Sequence, residues 1–252
     1  MTGEPPTVRE FCWRCFWPKE RCWCDEITTM AVRTRFVFLM HPKEYKQEKN
    51  GTGRLTALAL RDSLIEMGIG FDDNPVVQGL ISDPANYPML LYPGDGARNV
   101  SDGTLAPADL DGRRLVVFLL DGTWACAKKM LKLSPSLQRL DKLMFTPTEK
   151  SRFVIKRQPH ELCLSTLEAT HQFLLALEAA GLDVYPDREQ LPRVFQAMQD
   201  YQIACASDPE RHGYRRKAYK LPEQRDTLPQ HRKGHRNLFW KPFDPANLPK
   251  SR

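Results

Sequence analysis

The run Leu115-Val116-Val117-Phe118-Leu119-Leu120 is apolar at every position, then stops on an acid and a turn, Asp121-Gly122-Thr123-Trp124. A strand with one wet face alternates apolar and polar residues. One that is apolar throughout has both faces covered, the condition of a central strand in a parallel sheet sandwiched by helices. Such a strand delivers the acid at its end to the carboxyl edge of the sheet, where open α/β folds bind ligands. An Asp at a strand-turn-helix junction also serves as a plain helix cap, and the four residues alone leave both roles open.

The rest of the chain supplies the partners such a strand needs. Residues 34–40 form a strand-like run ended by His41-Pro42, residues 89–92 a short one cut off by Pro93-Gly94, and residues 143–145 another. Ala57, Leu60, Leu64 and Met67 recur at helical spacing after Asn50-Gly51-Thr52-Gly53, which predicts an amphipathic helix stopped by Gly68 and Gly70. A helix is expected over residues 125–133. Ser165-Thr166-Leu167-Glu168 has the form of a capping box opening a helix that Gly181 stops, and a last helix is expected over residues 190–206. Strands alternating with helices predict an α/β fold, a mainly parallel sheet flanked by helices. The expected organisation is a cysteine-rich knuckle (1–30), a sheet domain (31–206) and a basic tail (207–252).

At 252 residues and 41% hydrophobic, the chain is long and apolar enough for a large core. No apolar run approaches the roughly 18 residues of a membrane span. The first residues lack the pattern of a secretory signal, so a cytoplasmic protein is expected. The net charge of +6 is mild but unevenly spread. Between Arg211 and Arg236 nine basic residues face only Glu223 and Asp226, a pattern shared by solvated surface and nucleic-acid contact. Nothing marks an obligate protein partner.

Cys12, Cys15, Cys22 and Cys24 are spaced C-x2-C-x6-C-x-C. Two close thiol pairs can wrap one tetrahedral ion, and four soft sulfurs suit Zn²⁺. An iron-sulfur centre, redox-active thiols and disulfides are the alternatives, the last disfavoured in a reducing compartment. Arg14, Lys19 and Arg21 lie between the ligands and can offset the excess negative charge. Trp13, Phe16, Trp17 and Trp23 are interleaved with them, to pack in place of a core or to stack on bases.

Five segments, taken in order, resemble the DTW-domain family: the cysteine knuckle; His41-Pro42-Lys43-Glu44 with Asn50-Gly51-Thr52-Gly53-Arg54; Tyr92-Pro93-Gly94; Asp121-Gly122-Thr123-Trp124; and Ser165-Thr166-Leu167-Glu168-Ala169. The run Lys49-Asn50-Gly51-Thr52-Gly53 departs from the family pattern by its altered glycine. The resemblance implies a SPOUT-like fold with a trefoil knot. It also implies transfer of the 3-amino-3-carboxypropyl group of S-adenosylmethionine (SAM) to N3 of a uridine in tRNA, with release of methylthioadenosine. Bacterial relatives act at tRNA position 47 and others in the D-loop; position 47 is expected here.

On that reading Asp121 is the base for the N3 proton, its pKa raised by partial burial beside Trp124, with Thr123 and Trp124 completing the catalytic set. Asn50, Gly51, Thr52, Gly53, Tyr92, Pro93, Gly94, Leu120, Ser165, Thr166 and Glu168 are the expected SAM contacts. The turn at residues 51–53 is the expected seat of the SAM carboxylate. Glu44 and Glu168 are available to its ammonium or ribose, and His41 is expected to be structural. Lys128, Lys129, Arg152, Lys156 and Arg157 are expected along the RNA approach. Attack on the SAM methyl would make a methyltransferase of the same pocket. A non-catalytic zinc-containing RNA-binding protein would use the knuckle and tail alone.

Overall fold

A computed structural model describes residues 10–47, 51–155 and 163–208. Its strands are β1 (Arg35–Met40), β2 (Leu64–Met67), β3 (Asn86–Leu91), β4 (Arg98–Asn99), β5 (Arg114–Asp121) and β6 (Lys142–Met144). They lie in the order β2-β1-β5-β3-β6-β4, and every pairing is parallel. The helices are α1 (Pro42–Gln47), α2 (Thr52–Ala59), α3 (Pro75–Ser82), α4 (Trp124–Lys132), α5 (Pro135–Gln138), α6 (Thr166–Ala179) and α7 (Gln190–Ser207). The chain divides into two compact units, Met1–Ala204 and Cys205–Arg252. The sheet and the cysteine cluster belong to the first. Of the second, residues 205–208 are described. No helix among the described residues is long and apolar enough to cross a membrane.

The apolar run 115–120 is an inner strand of the sheet, as its composition predicts: β5 lies between β1 and β3. Side-chain alternation sorts the core into two layers. Val37, Leu39, Val116 and Phe118 meet Val77 and Leu80 of α3, Met130 of α4 and Leu137 of α5. On the opposite face Phe36 and Phe38 stack, and Phe36 meets Phe173 of α6 edge-on at 6.3 Å. Each such fully buried side chain contributes about 1.5–3 kcal/mol. The strand order reverses at β1, which has the following strand β2 on one side and the late strand β5 on the other. Met40 and Asp121 are register partners there, so the end of the apolar run stands at the topological switch point, where such sheets bind ligands.

The helix expected through Met67 ends early. α2 stops at Ala59, Leu60 is already extended (φ −117°, ψ 124°) and Asp62 turns the chain at φ 60°. Residues 64–67 then run beside β1 as strand β2, with Val37 opposite Leu64. The spacing of Leu60, Leu64 and Met67 fits a helix, but β1 offers residues 64–67 backbone partners along an open edge, and pairing there outweighs a weak local preference. Helix α6 follows expectation at both ends. Ser165 and Glu168 form the reciprocal capping box, and Gly181 at φ 72° turns the chain out of the helix.

Candidate active site and cysteine centre

Asp121 is only 7% exposed and points to the α2–α6 side of the sheet edge. Its Oδ1 accepts a hydrogen bond of 2.6 Å from Thr166 Oγ1, at the first residue of α6. Its Oδ2 lies against the first turn of α2 so closely that a β-carbon built on Gly53 would stand 2.1 Å away. Glycine at 53 is therefore a condition of this approach. The carboxylate thus sits between the first turns of two helices, which present the positive ends of their dipoles. α2 has no side-chain cap of its own at Gly51; the anion standing at its N-terminus is Asp121. The cap of α4 is Thr123, whose Oγ1 accepts from the Cys126 N–H at 3.4 Å. The cap of α4 is thus Thr123 and not Asp121.

The other expected contacts fall around this edge unevenly. Trp124 meets Tyr92 edge-on, ring centroids 6.3 Å apart, just beyond the ends of β5 and β3. Tyr92 and Leu120 pack on the α3–α4–α5 layer, the face away from the Asp121 carboxylate, and Pro93-Gly94 continue the loop after β3. Burial pushes the Tyr92 phenol up, so it stays a hydrogen-bond donor. Glu168 is buried, and its carboxylate accepts from the N–H groups of Ser165 (2.9 Å) and Arg152 (2.6 Å) and from Ser151 Oγ (3.0 Å). It fastens the 151–152 loop to the head of α6. His41 is buried beside the switch point; its N–H donates to Asp121 O at 2.9 Å and its Nδ1 accepts from the Lys43 N–H. Burial first, then Lys43 and Lys129, pull its pKa down. Asn50, Lys156, Arg157 and the tail beyond residue 208 lie outside the described residues. Arg152 is exposed and paired with Glu149 at 2.8 Å.

The cysteine loop brings its four sulfurs within 4.8 Å of one another. Cys12 and Cys24 are 3.7 Å apart and Cys15 and Cys22 3.8 Å. Sulfurs about 2.3 Å from one tetrahedral zinc stand about 3.8 Å apart, so the set fits that ion. Its electrostatics fit too. The Cys15 N–H holds the Cys12 thiol down to about 6, while burial pushes Cys15 and Cys24 up. Metal-binding cysteines bind as thiolates, and a cation placed among these sulfurs would offset the cost of charging Cys15 and Cys24. Lys19 and Arg21 are engaged with Glu10 and Glu26. Of the interleaved aromatics, Trp17 and Trp23 pack as expected, buried in a T-shaped pair at 5.4 Å, whereas Trp13 is 82% exposed.

Arg54 ties this loop to the switch point. It is buried, with its guanidinium 3.7 Å from the Phe16 ring centroid and 3.9 Å from that of Tyr45, and it donates to Tyr45 O at 2.6 Å. Arg54 directly follows Gly53, so the cysteine loop braces the turn that receives Asp121. In the sequence Arg54 showed only as the last residue of a glycine-rich segment. Nothing local announced its two aromatic partners.

A family model described as the DTW domain matches residues 9–203. Among curated proteins the chain is 29% identical over 211 residues to the tRNA-uridine aminocarboxypropyltransferase 2 of Drosophila melanogaster, covering 81% of this chain and 79% of that one. It is 29% identical over 199 residues to the protein of the same name from Mus musculus, 77% of this chain and 64% of that one. The Macaca fascicularis counterpart is 26% identical over 203 residues, 79% and 66% of the two chains. No solved structure matches significantly.

Proposed function

Because this chain belongs to the DTW-domain family, we propose that it transfers the 3-amino-3-carboxypropyl group of SAM to N3 of a uridine in tRNA, at position 47, and releases methylthioadenosine. Its relatives from fly, mouse and macaque are named tRNA-uridine aminocarboxypropyltransferase 2, which supports the transferred group and a uridine in tRNA as its acceptor. The observation that carries the reading is the meeting of Asp121, Gly53 and Thr166, from three separate family segments, at the carboxyl edge of the switch point.

SAM supplies an electrophilic methylene: the N3–C bond forms as the C–S bond breaks, the bonding pair stays on sulfur, and the N3 proton must be taken up. The chain's part is to receive that proton and to hold geometry. Asp121 takes the proton, since uridine N3 is a poor nucleophile while protonated and a carboxylate in hydrogen-bond reach removes that barrier. Thr166 fixes one carboxylate oxygen and the first turn of α2 confines the other, which together set where the carboxylate stands. Thr123 ends the turn after Asp121, and Trp124 with Tyr92 walls the edge against water. Ser165, Thr166, the 51–53 turn and the loop Tyr92-Pro93-Gly94 supply the polar and backbone groups around SAM. Which carbon of the sulfonium reacts is a matter of alignment, to which such displacements are highly sensitive. Cys12, Cys15, Cys22 and Cys24 hold a structural zinc, remote from the chemistry and coupled to it through Phe16 and Arg54. The SPOUT-like trefoil knot belongs to this reading through the family resemblance.

Replacing Asp121 by alanine tests the assignment. Transfer should fall below detection while tRNA affinity stays within about twofold, measured by nucleoside mass analysis and by filter binding. Unchanged turnover would remove Asp121 from the base role.

A further inference from the structure

Phe16, in the cysteine loop, has a φ of 61°. The loop's closure puts it there: the Phe16 N–H donates to Cys12 O at 2.8 Å and the Cys12 N–H to Trp17 O at 2.7 Å. Glycine takes this left-handed conformation freely, whereas for a bulky side chain it is an outlier. Core burial does not offset the strain, since Phe16 is 44% exposed. Backbone strain of this kind persists where surrounding contacts hold it, and it gathers at functional sites.

The contacts of the ring show what holds it. Phe16 lies under the Arg54 guanidinium and beside the Tyr45 ring, centroids 5.7 Å apart and tilted by 60°. The same guanidinium stands 3.9 Å from the Tyr45 centroid and donates to Tyr45 O at 2.6 Å. Arg54 therefore fastens α1, which carries Tyr45, to α2, its own helix. Both helices start beside Asp121. On the α1 side the Tyr45 N–H donates to His41 O at 3.0 Å and the His41 N–H to Asp121 O at 2.9 Å. On the α2 side Gly53, next to Arg54, lies directly against Asp121 Oδ2. Asp121, His41, Tyr45, Arg54 and Gly53 thus form a closed circuit. Arg54 is the side chain that joins its two halves, and Phe16 covers that joint from the cysteine loop.

We propose that Phe16 and Arg54 are positioning residues for the transfer reaction, a proposal that rests on the functional reading above and deepens it. The ring holds the guanidinium against Tyr45. The guanidinium holds the heads of α1 and α2 at the spacing that seats the Asp121 carboxylate. Both act through Asp121 and not on the substrate. A cation–π contact needs an aromatic face, so tyrosine can serve at residue 16 and glycine cannot. Lysine at residue 54 keeps the charge but loses the planar, forked group that stacks and donates. On this account the cysteine loop governs turnover and not the fold alone.

The test sets Phe16→Gly against Phe16→Tyr in the full-length protein. Glycine removes the ring and also relieves the left-handed backbone, so zinc content and urea midpoint should hold at their wild-type values or rise. Turnover should fall all the same: kcat drops by about tenfold or more, since a displacement of about 1 Å costs on the order of 100-fold. KM for SAM and for tRNA should stay within about twofold, as when an interaction is lost only in the transition state. Phe16→Tyr should keep the wild-type kcat. Amide hydrogen exchange supplies a reading that needs no turnover: residues 42–47 and 51–56 should exchange faster in Phe16→Gly and in Arg54→Lys, with the sheet unchanged. Unaltered kcat or unaltered exchange in Phe16→Gly overturns the proposal. So does a loss of kcat matched by lost zinc or a lower urea midpoint, which would make Phe16 a prop of its own loop. A wild-type protein that transfers nothing, with variants that still loosen α1 and α2, would refute the transferase reading and leave the clamp standing.

Discussion

A methyl group at residue 53 has no room. Its carbon would stand 2.1 Å from Asp121 Oδ2, 2.9 Å from Cγ and 3.1 Å from Met40 Cε. Gly53→Ala must therefore push the carboxylate off its seat. Displacing a reacting group by about 1 Å costs on the order of 100-fold in rate, whereas overpacking costs about 1–3 kcal/mol of stability. Initial rates should fall by that factor or more while urea denaturation shows a still-folded protein; a normal rate would mean that the position of Asp121 does not matter. At this scale the sequence carried much of the local structure around Asp121. The strand-end acid, the glycine turn and the Ser165–Glu168 box were each legible, because each is local chemistry. What it did not carry was who touches whom. Thr166 is 45 residues from the Asp121 it bonds, and whether Asp121 or Thr123 capped α4 depended on which way each side chain turned.

Between elements, buried polar groups join segments that no periodicity connects. Asp183, in the connection between α6 and α7, accepts from the N–H groups of Arg33 (2.7 Å), Thr34 (2.9 Å) and Val184 (2.7 Å), and so ties that connection to the head of β1. Gln190 exchanges two bonds with Thr28, donating Nε2–H to its carbonyl and accepting from its N–H. Removing the Asp183 carboxylate strands three backbone donors, at about 1–3 kcal/mol for each that stays buried. Asp183→Ala should destabilise the protein by about 2–4 kcal/mol, seen as a lower urea midpoint with little change in m; a shift under 0.5 kcal/mol would mean that water replaces the carboxylate at no cost. The apolar run of β5 could be read in advance because a doubly covered strand needs no partner to declare itself. β2 could not, because its four residues become a strand only when β1 lies alongside. Helix α3 went unseen although its signals were present: Asn74 caps it through the Val77 N–H, with Pro75 at its first position.

For the whole molecule, the titration of the histidines sets a pH window. Burial is the leading cause that lowers the pKa of both His41 and His171, the latter with Arg152 opposing and Glu149 and Glu189 favouring the charged form. His171 Nδ1 also lies 2.9 Å from the Tyr185 hydroxyl. Below about pH 6.5 the unfolded chain takes up protons that the folded chain refuses, so stability must fall as pH drops. The loss is at most about 1.4 kcal/mol per pH unit for each histidine, and it stops once the folded histidines titrate. Urea denaturation between pH 7 and 5.5 should show this decline, and His171→Gln should make it shallower; an equal slope in the variant would place the proton uptake elsewhere. One reaction unites these roles, and its products test it most directly. Incubated with SAM and unmodified tRNA, the protein should yield 3-(3-amino-3-carboxypropyl)uridine together with methylthioadenosine in equal amounts, and Asp121→Ala should yield neither. A methylated nucleoside with S-adenosylhomocysteine, or tRNA bound but unaltered, would contradict it.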